Sequence, residues 1–350
     1  MDARNSERQQ QQQIFADNLQ EIEEFFSRPE RNQQYNAAYS LCSLLSSTHP
    51  PSIEELKQSN ILSKMLRCLR DTKCPQLQLQ FSSAFLVISG LSEQHRLHVV
   101  QSGALPLFVR LLSCKDLKIC EISTSVLANI AKNSRRECDL IVAYGAALPL
   151  SVLMCNSKVE VQKAALDVLQ QLSLGSPYRI GLLFESNILS YIKLVLFQPQ
   201  TDVDVLIRTL ILLCYIIQEG NRSQQLRVIK ADFFPSLIDA LRRDNPHVRR
   251  VAADTAFELI SATDHVTALS SKNITNLLIL LCENLFTEEL WVLQIIYDLL
   301  LLLEKFSIDV SNILQYDSGF NKLKQMQRNS NKQISQLAID VVEFCKSNSA

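Results

Sequence analysis

Apolar side chains recur along this chain at steps of three and four residues, as in Ile119, Ile122, Val126, Leu127 and Ile130, which places them on one face of a helix. The stripes are interrupted at regular intervals. A small turn-forming residue followed by an apolar helix start appears at Asn60 in SNILSKML, Gly103 in SGALPLFVRLL, Gly145 in YGAALPLSVLM and Asn187 in SNILSYIKLVL. It returns at Asp232 in ADFFPSLIDAL, Asn273 in KNITNLLILL and Gly319 in SGFNKLKQM, so successive anchors lie 43, 42, 42, 45, 41 and 46 residues apart. Gly, Asn and Asp enter left-handed and turn conformations at least cost, which is what a sharp break between two helices needs. A short helix precedes the anchor, as at Leu97 to Val100 and Leu140 to Val142; about ten helical residues, a polar turn and a longer amphipathic helix follow it.

A period of this length falls among the armadillo and HEAT arrays and excludes the tetratricopeptide and ankyrin periods of about 34 and 33 residues. Three helices per unit favour armadillo over the two-helix HEAT unit. The expected fold is therefore an all-α, right-handed armadillo-repeat superhelical solenoid of about eight three-helix repeats. The units run 12–50, 51–92, 93–133, 134–175, 176–220, 221–263, 264–306 and 307–348, as a single domain over 14–348. Residues 1–13 are Gln-rich and read as disordered by composition. No unit can bury its apolar face alone, so neighbours stack and the third helices are expected to line a concave groove.

Composition narrows the function. With 47% hydrophobic residues but only 7 Gly and 10 Pro among 350, the chain has few strand-break signals and enough length for a core without metal or disulfide staples. A net charge of −1 gives no global basic field, so neither nucleic acid nor a membrane surface is expected as a partner. The ten cysteines form no CxxC pair and the N-terminus has no apolar signal region, which suits buried thiols in a reducing compartment. The longest apolar stretches, Thr209 to Ile217 and Trp291 to Leu303, fall short of the ~20 residues of a membrane span, and Asp298 interrupts the second.

Catalytic and cofactor motifs are missing: no GxxxxGK[ST], GxGxxG, HExxH or GxSxG occurs, so neither an enzyme nor a cofactor is expected. His95 and His98 stand one turn apart without a further ligand to complete a metal site and read as helix-surface residues. Paired carboxylates at Glu54–Glu55 and Glu23–Glu24 sit near helix starts, where negative charge suits the dipole. Trp291 reads as packing. Two basic clusters, Arg242, Arg243, Arg249 and Arg250, and Lys322, Lys324, Arg328 and Lys332, read as solvated faces, with docking of an acidic partner as the alternative.

The segments CDLIVAYGAALPL, SEQHRLHVVQSGALPLFVRLLS and GNRSQQLRVIKADFFPSLIDAL resemble repeat segments of importin α, the nuclear-import adaptor family. PPSIEELKQSNIL with LQLQFSSAFLVISG resembles the family's first-to-second repeat passage, and YDSGFNKLKQMQRNSNKQISQLAIDVVEFC its last repeat, so the likeness covers nearly all of 35–346. The family has ten repeats against eight here, with the first four units resembling its first four and the last four its last four. The resemblance implies a protein of cytoplasm and nucleus whose groove binds extended peptide or protein cargo, nuclear localisation signals above all. The alternative is a non-transport armadillo scaffold for another protein partner.

In that family the third helices carry a Trp and, four residues later, an Asn on the same face. The Trp rings flank slots for Lys and Arg stems, while Asn amides bind the peptide backbone. Carried onto this chain, the pair becomes Phe85 and Ser89, Ser125 and Asn129, Asp167 and Gln171, Leu212 and Ile216, and Asp254 and Glu258 in the second to sixth units. An acidic family residue four beyond the third-unit Asn corresponds to Asn133. None of the family's Trp set is present, and each lost wall is worth about 0.5–2 kcal/mol. The resemblance thus assigns peptide binding to Phe85, Ser89, Ser125, Asn129, Asn133, Asp167, Gln171, Asp254 and Glu258. Phe85 would stack, Asn129 would hold backbone, and Asp167, Asp254 and Glu258 would set carboxylates along a basic peptide. Only Arg4 and Arg8 stand where the family has its basic importin-β-binding segment, so importin β is not expected as a partner in the family's manner.

Overall fold

The computed structural model describes residues 19–28, 30–47, 50–132, 134–262, 277–281, 290–305 and 318–347, and among them every regular element is a helix. Asn133, Asn273 and the segment 1–13 lie outside the described residues. The chain folds as two compact units, one ending at Leu172 and the other beginning at Ser173.

The first unit opens with α1 (19–26) and α2 (Arg31–Leu45). Three complete triplets follow: α3 (Ile53–Gln58), α4 (Ile61–Asp71) and α5 (Pro75–Leu91); α6 (Glu93–Gln101), α7 (Leu105–Leu111) and α8 (Leu117–Ala131); α9 (Arg135–Ala143), α10 (Ala147–Leu153) and α11 (Val159–Ser173). The second unit holds two more triplets, α12 (Pro177–Glu185), α13 (Ile188–Phe197) and α14 (Val203–Glu219), then α15 (Arg222–Lys230), α16 (Phe234–Leu241) and α17 (Pro246–Ser261). It continues with α18 (277–281), α19 (Leu290–Lys305), α20 (Ser318–Met326) and α21 (Lys332–Ser347).

Local chemistry starts these helices. Glu55 N donates to Ser52 Oγ at 3.3 Å and Ser52 N to Glu55 Oε2 at 2.7 Å, a reciprocal cap that opens α3 and accounts for the Glu54–Glu55 pair. Asn221 and Gln224 build the same device at α15, while Asp116, Asp202 and Asn245 cap α8, α14 and α17. Glu23 accepts from the Asn60 amide and pairs with Lys64 at 3.1 Å, tying α1 to α4.

The corners between first and second helices follow the sequence expectation at four anchors. Gly103 (φ 83), Gly145 (φ 85), Asn187 (φ 61) and Asp232 (φ 49) are all left-handed. Asn60 is not: at φ −89 it stands at the N-cap position of α4 without a side-chain cap bond, after an extended Ser59. Gly319 lies inside α20 rather than at a corner.

The third helices carry the stack. In the first unit α2 packs on α5 and α5 on α8; in the second α14 packs on α17, α17 on α19 and α19 on α21. Phe26 meets Phe81, and Phe85 meets Phe108, each edge-to-face at 5.4 Å between ring centres. The cysteines are less uniformly buried than their apolar surroundings suggest. Cys120, Cys138 and Cys345 are buried and six others half-buried, all as free thiols. Burial pushes the Cys42 and Cys120 thiols up to about 11.

Candidate functional site

The burial rhythm of the third helices fixes which side chains reach their free face. On α8, Ile119, Ser123, Thr124, Val126, Leu127 and Ile130 are buried, leaving Ser125 and Asn129 half-exposed on one stripe. The same rhythm on α11 brings Asp167 and Gln171 to that stripe, and on α17 Asp254 and Glu258. Those expected pairs reach the surface together.

On α5 the register differs from the sequence expectation. Phe85 and Ser89 are fully buried, Phe85 against Phe108, so the ring cannot stack on a ligand. Ser83 and Val87 occupy the surface positions matching Ser125 and Asn129. On α14 Leu212 and Ile216 are likewise buried, and Ile211 and Tyr215 take their place. Asn129 is also committed: its Nδ2 donates to Ser89 Oγ at 3.1 Å and to the Leu86 carbonyl at 3.5 Å, bridging α8 to α5. An amide nitrogen used between repeats is not offered to a peptide backbone.

Continuing the rhythm through the second unit shows two residues that the family pairing did not reach. Asp298 on α19 and Asp340 on α21 occupy the position of Asp254 on α17, giving one aspartate on each of three successive third helices. Gln294 Nε2 donates to Asp298 Oδ1 at 3.0 Å and Gln336 Nε2 to Asp340 Oδ1 at 2.9 Å, both from one turn earlier on the same helix. Arg250 stands at the corresponding place before Asp254. Burial holds the Asp254 carboxyl above its usual range, with Arg250 pulling it down and Glu258 pushing it further up. Beside them the Cys214 thiol is pushed up to about 12, by burial first and then by Glu258 and Asp254. Gln218 Nε2 donates to Glu258 Oε1 at 2.8 Å, linking α14 to α17 along the same face. Trp291 is half-buried at the start of α19.

Other candidates are absorbed by the fold. In the Arg242–Arg250 cluster, Arg243 Nη1 donates to the Pro199 carbonyl at 2.8 Å, Arg249 to the carbonyls of Arg243 and Asp244, and Arg242 pairs with Asp239. These bonds close the turn, and Arg242 and Arg250 stay exposed. A cavity of about 610 Å³ lies between α1 and α2 of the first unit, lined by Ile22, Phe25, Tyr39 and Leu44 among others. Among the described residues no group of three or more His, Cys, Asp or Glu could hold a metal ion.

His95 shares a 2.7 Å hydrogen bond with Ser92 Oγ, and burial holds both His95 and His98 below their ordinary value of 6.5. Glu54 opposes that shift at His95, and Lys57 reinforces it at both. The folded chain therefore binds fewer protons than the unfolded one as pH falls through about 6.5, and folding stability declines there. Urea midpoints at about pH 7.5 and about pH 5.5 are expected to differ less in His95→Gln/His98→Gln than in the unaltered chain.

Comparison with known proteins bears on the same elements. Residues 92–132, which hold α6 to α8, match the model of the armadillo/beta-catenin-like repeat. Importin subunit alpha-1a of Oryza sativa subsp. japonica is 29% identical over 260 residues, covering 73% of this chain and 48% of that protein, so the chain spans about half the length of this relative. Among solved structures, a designed armadillo repeat protein in complex with the peptide (KR)4 superposes with a TM-score of 0.62 at 20% identity, over 69% of this chain and 99% of that one. An engineered protein superposes with a TM-score of 0.64 at 17% identity, over 94% of this chain and 99% of that one. The chain is an all-helical armadillo-repeat solenoid, distantly related to importin α subunits.

Proposed function

We propose that the chain is an importin-α-like binding protein whose third-helix face holds extended polypeptide segments carrying basic residues, with nuclear localisation signals as cargo in nuclear import. The observation that carries this reading is the repetition of Asp254, Asp298 and Asp340 at one position of successive helices. A periodic carboxylate row suits a periodic basic ligand, because each repeat offers one charge-assisted contact of the same geometry. The importin α relatives and the designed armadillo protein bound to (KR)4 support a peptide as the ligand class. Such a role needs no cofactor and no catalysis, and places the protein in both cytoplasm and nucleus.

Fluorescence anisotropy with a labelled Lys/Arg-rich peptide tests it. Binding that weakens with added salt, and no binding of an Asp/Glu-rich peptide of equal length, is the expected result. Failure of the basic peptide to bind at low salt overturns the reading. A second reading, a scaffold for another protein outside transport, is favoured by one observation: the Asn129 amide is spent on Ser89, and no Trp stands on the described third-helix stripe positions that match Ser125. Capture from cell extract separates the two, since the transport reading requires import factors among the bound proteins.

A further inference from the structure

Two turns of the first unit lie side by side, the one joining α1 to α2 and the one joining α4 to α5, and Cys68 Sγ donates to the Phe26 carbonyl between them at 3.4 Å. They enclose an open pocket of about 410 Å³ whose walls carry Arg28, Arg31, Arg67 and Lys73 against a single carboxylate, Asp71. Glu30, the acid between the first two in sequence, is not part of the lining. All four cations and Asp71 are exposed, and among the described residues no ion pair engages any of them.

The fold does not use these cations. Carbonyls left over where helices end ordinarily attract basic side chains. Here neutral donors take that place: the Phe26 carbonyl accepts from Cys68 Sγ, that of Arg28 from Gln34 Nε2 at 2.7 Å, and that of Thr72 from Gln78 Nε2 at 3.1 Å. Arg28 lies over the Phe25 ring at 4.6 Å and donates to Gln33 Oε1 at 3.5 Å, partners that orient its guanidinium without offsetting its charge. α2 and α5 begin at the same pocket, neither with a side-chain cap, so the positive ends of two helices add to the side chains. We propose that this pocket binds a phosphoryl group, either as inorganic phosphate or on a phosphorylated side chain of another polypeptide. Three guanidinium forks and an ammonium outweigh the single charge of a carboxylate, whereas a phosphoryl group brings a charge of about −1.5 to −2 and three acceptor oxygens. The chain's net charge of −1 sets up no general field for a polyanion, so the attraction is local to these walls. Nothing in the pocket involves the aspartate row of the second unit.

Titration of the full chain at low salt with inorganic phosphate, and anisotropy with a labelled Gly/Ala-rich octapeptide bearing one phosphoserine or the same peptide with serine, test the inference. Phosphate is expected to bind and to displace the phosphopeptide, and the serine peptide to bind at least about tenfold more weakly than the phosphopeptide. A phosphopeptide that binds more tightly than phosphate identifies a phosphorylated side chain as the source; one that binds no better identifies the free anion. Arg31→Gln/Arg67→Gln/Lys73→Gln is expected to weaken either ligand about tenfold or more, while Arg110→Gln/Lys115→Gln, which removes two exposed cations elsewhere in the first unit, leaves both unchanged. Equal binding of the two peptides with no binding of phosphate overturns the inference, and so does an equal loss in both variants, the mark of diffuse attraction. The peptide pair and phosphate are measured on the unaltered chain, and Arg67→Gln alone repeats the comparison should the triple variant misfold.

Discussion

Phe85→Ala is expected to cost about 3–5 kcal/mol of folding stability, an effect on the core of the first unit rather than on ligand binding. The ring is fully buried on α5 and meets Phe108 of α7 edge-to-face, at 5.4 Å and 74°. Truncation removes the transfer energy of the ring and leaves a hole that close-packed neighbours fill only in part. Phe85→Leu retains most of the volume and is expected to cost much less. Urea unfolding followed by far-ultraviolet circular dichroism measures both, with the shift confined to the transition of the first unit if the two units unfold separately. A variant that keeps its stability but loses a bound peptide would place the ring on the ligand-facing surface and overturn the assignment of its register.

That register shows what could be read from the sequence. The repeat period and the left-handed anchors at Gly103, Gly145, Asn187 and Asp232 are legible because they depend on residue types with few conformational alternatives. On α8, α11 and α17 a polar pair marks the free stripe, Ser125 with Asn129, Asp167 with Gln171, and Asp254 with Glu258. On α5 and α14 no such mark exists. Val87 on one and Ile211 on the other are apolar like the core around them, so a shift of one or two residues leaves the hydrophobic pattern almost unchanged. Tertiary burial decides, and it moves Phe85, Ser89, Leu212 and Ile216 inside. Asp298 and Asp340 are visible as acids each with a glutamine one turn earlier. Their meaning emerges only when the burial rhythms of α17, α19 and α21 are set in phase.

Asp254→Asn/Asp298→Asn/Asp340→Asn is expected to weaken a bound basic peptide by about 30- to 150-fold at low salt. Each partly exposed carboxylate–ammonium pair contributes about 0.7–1 kcal/mol, and about 1.4 kcal/mol corresponds to tenfold in affinity. The loss should shrink as salt rises toward about 0.15 M, where the screening length falls to about 8 Å, and vanish for an uncharged peptide of equal length. The substitution removes charge while keeping shape, and its effect on folding runs in the opposite direction at one site. Burial raises the Asp254 carboxyl above its ordinary value, so the folded chain resists its ionisation, and neutral Asn at that position is expected to leave stability equal or slightly higher near neutral pH. Weaker binding with undiminished stability therefore isolates recognition from folding. Acidification should mimic part of the variant's effect, because burial makes the Asp254 carboxyl lose its charge at a higher pH than an ordinary aspartate, so that affinity begins to fall there. Unchanged affinity in the triple variant, across salt and pH, would remove the carboxylate row from recognition altogether.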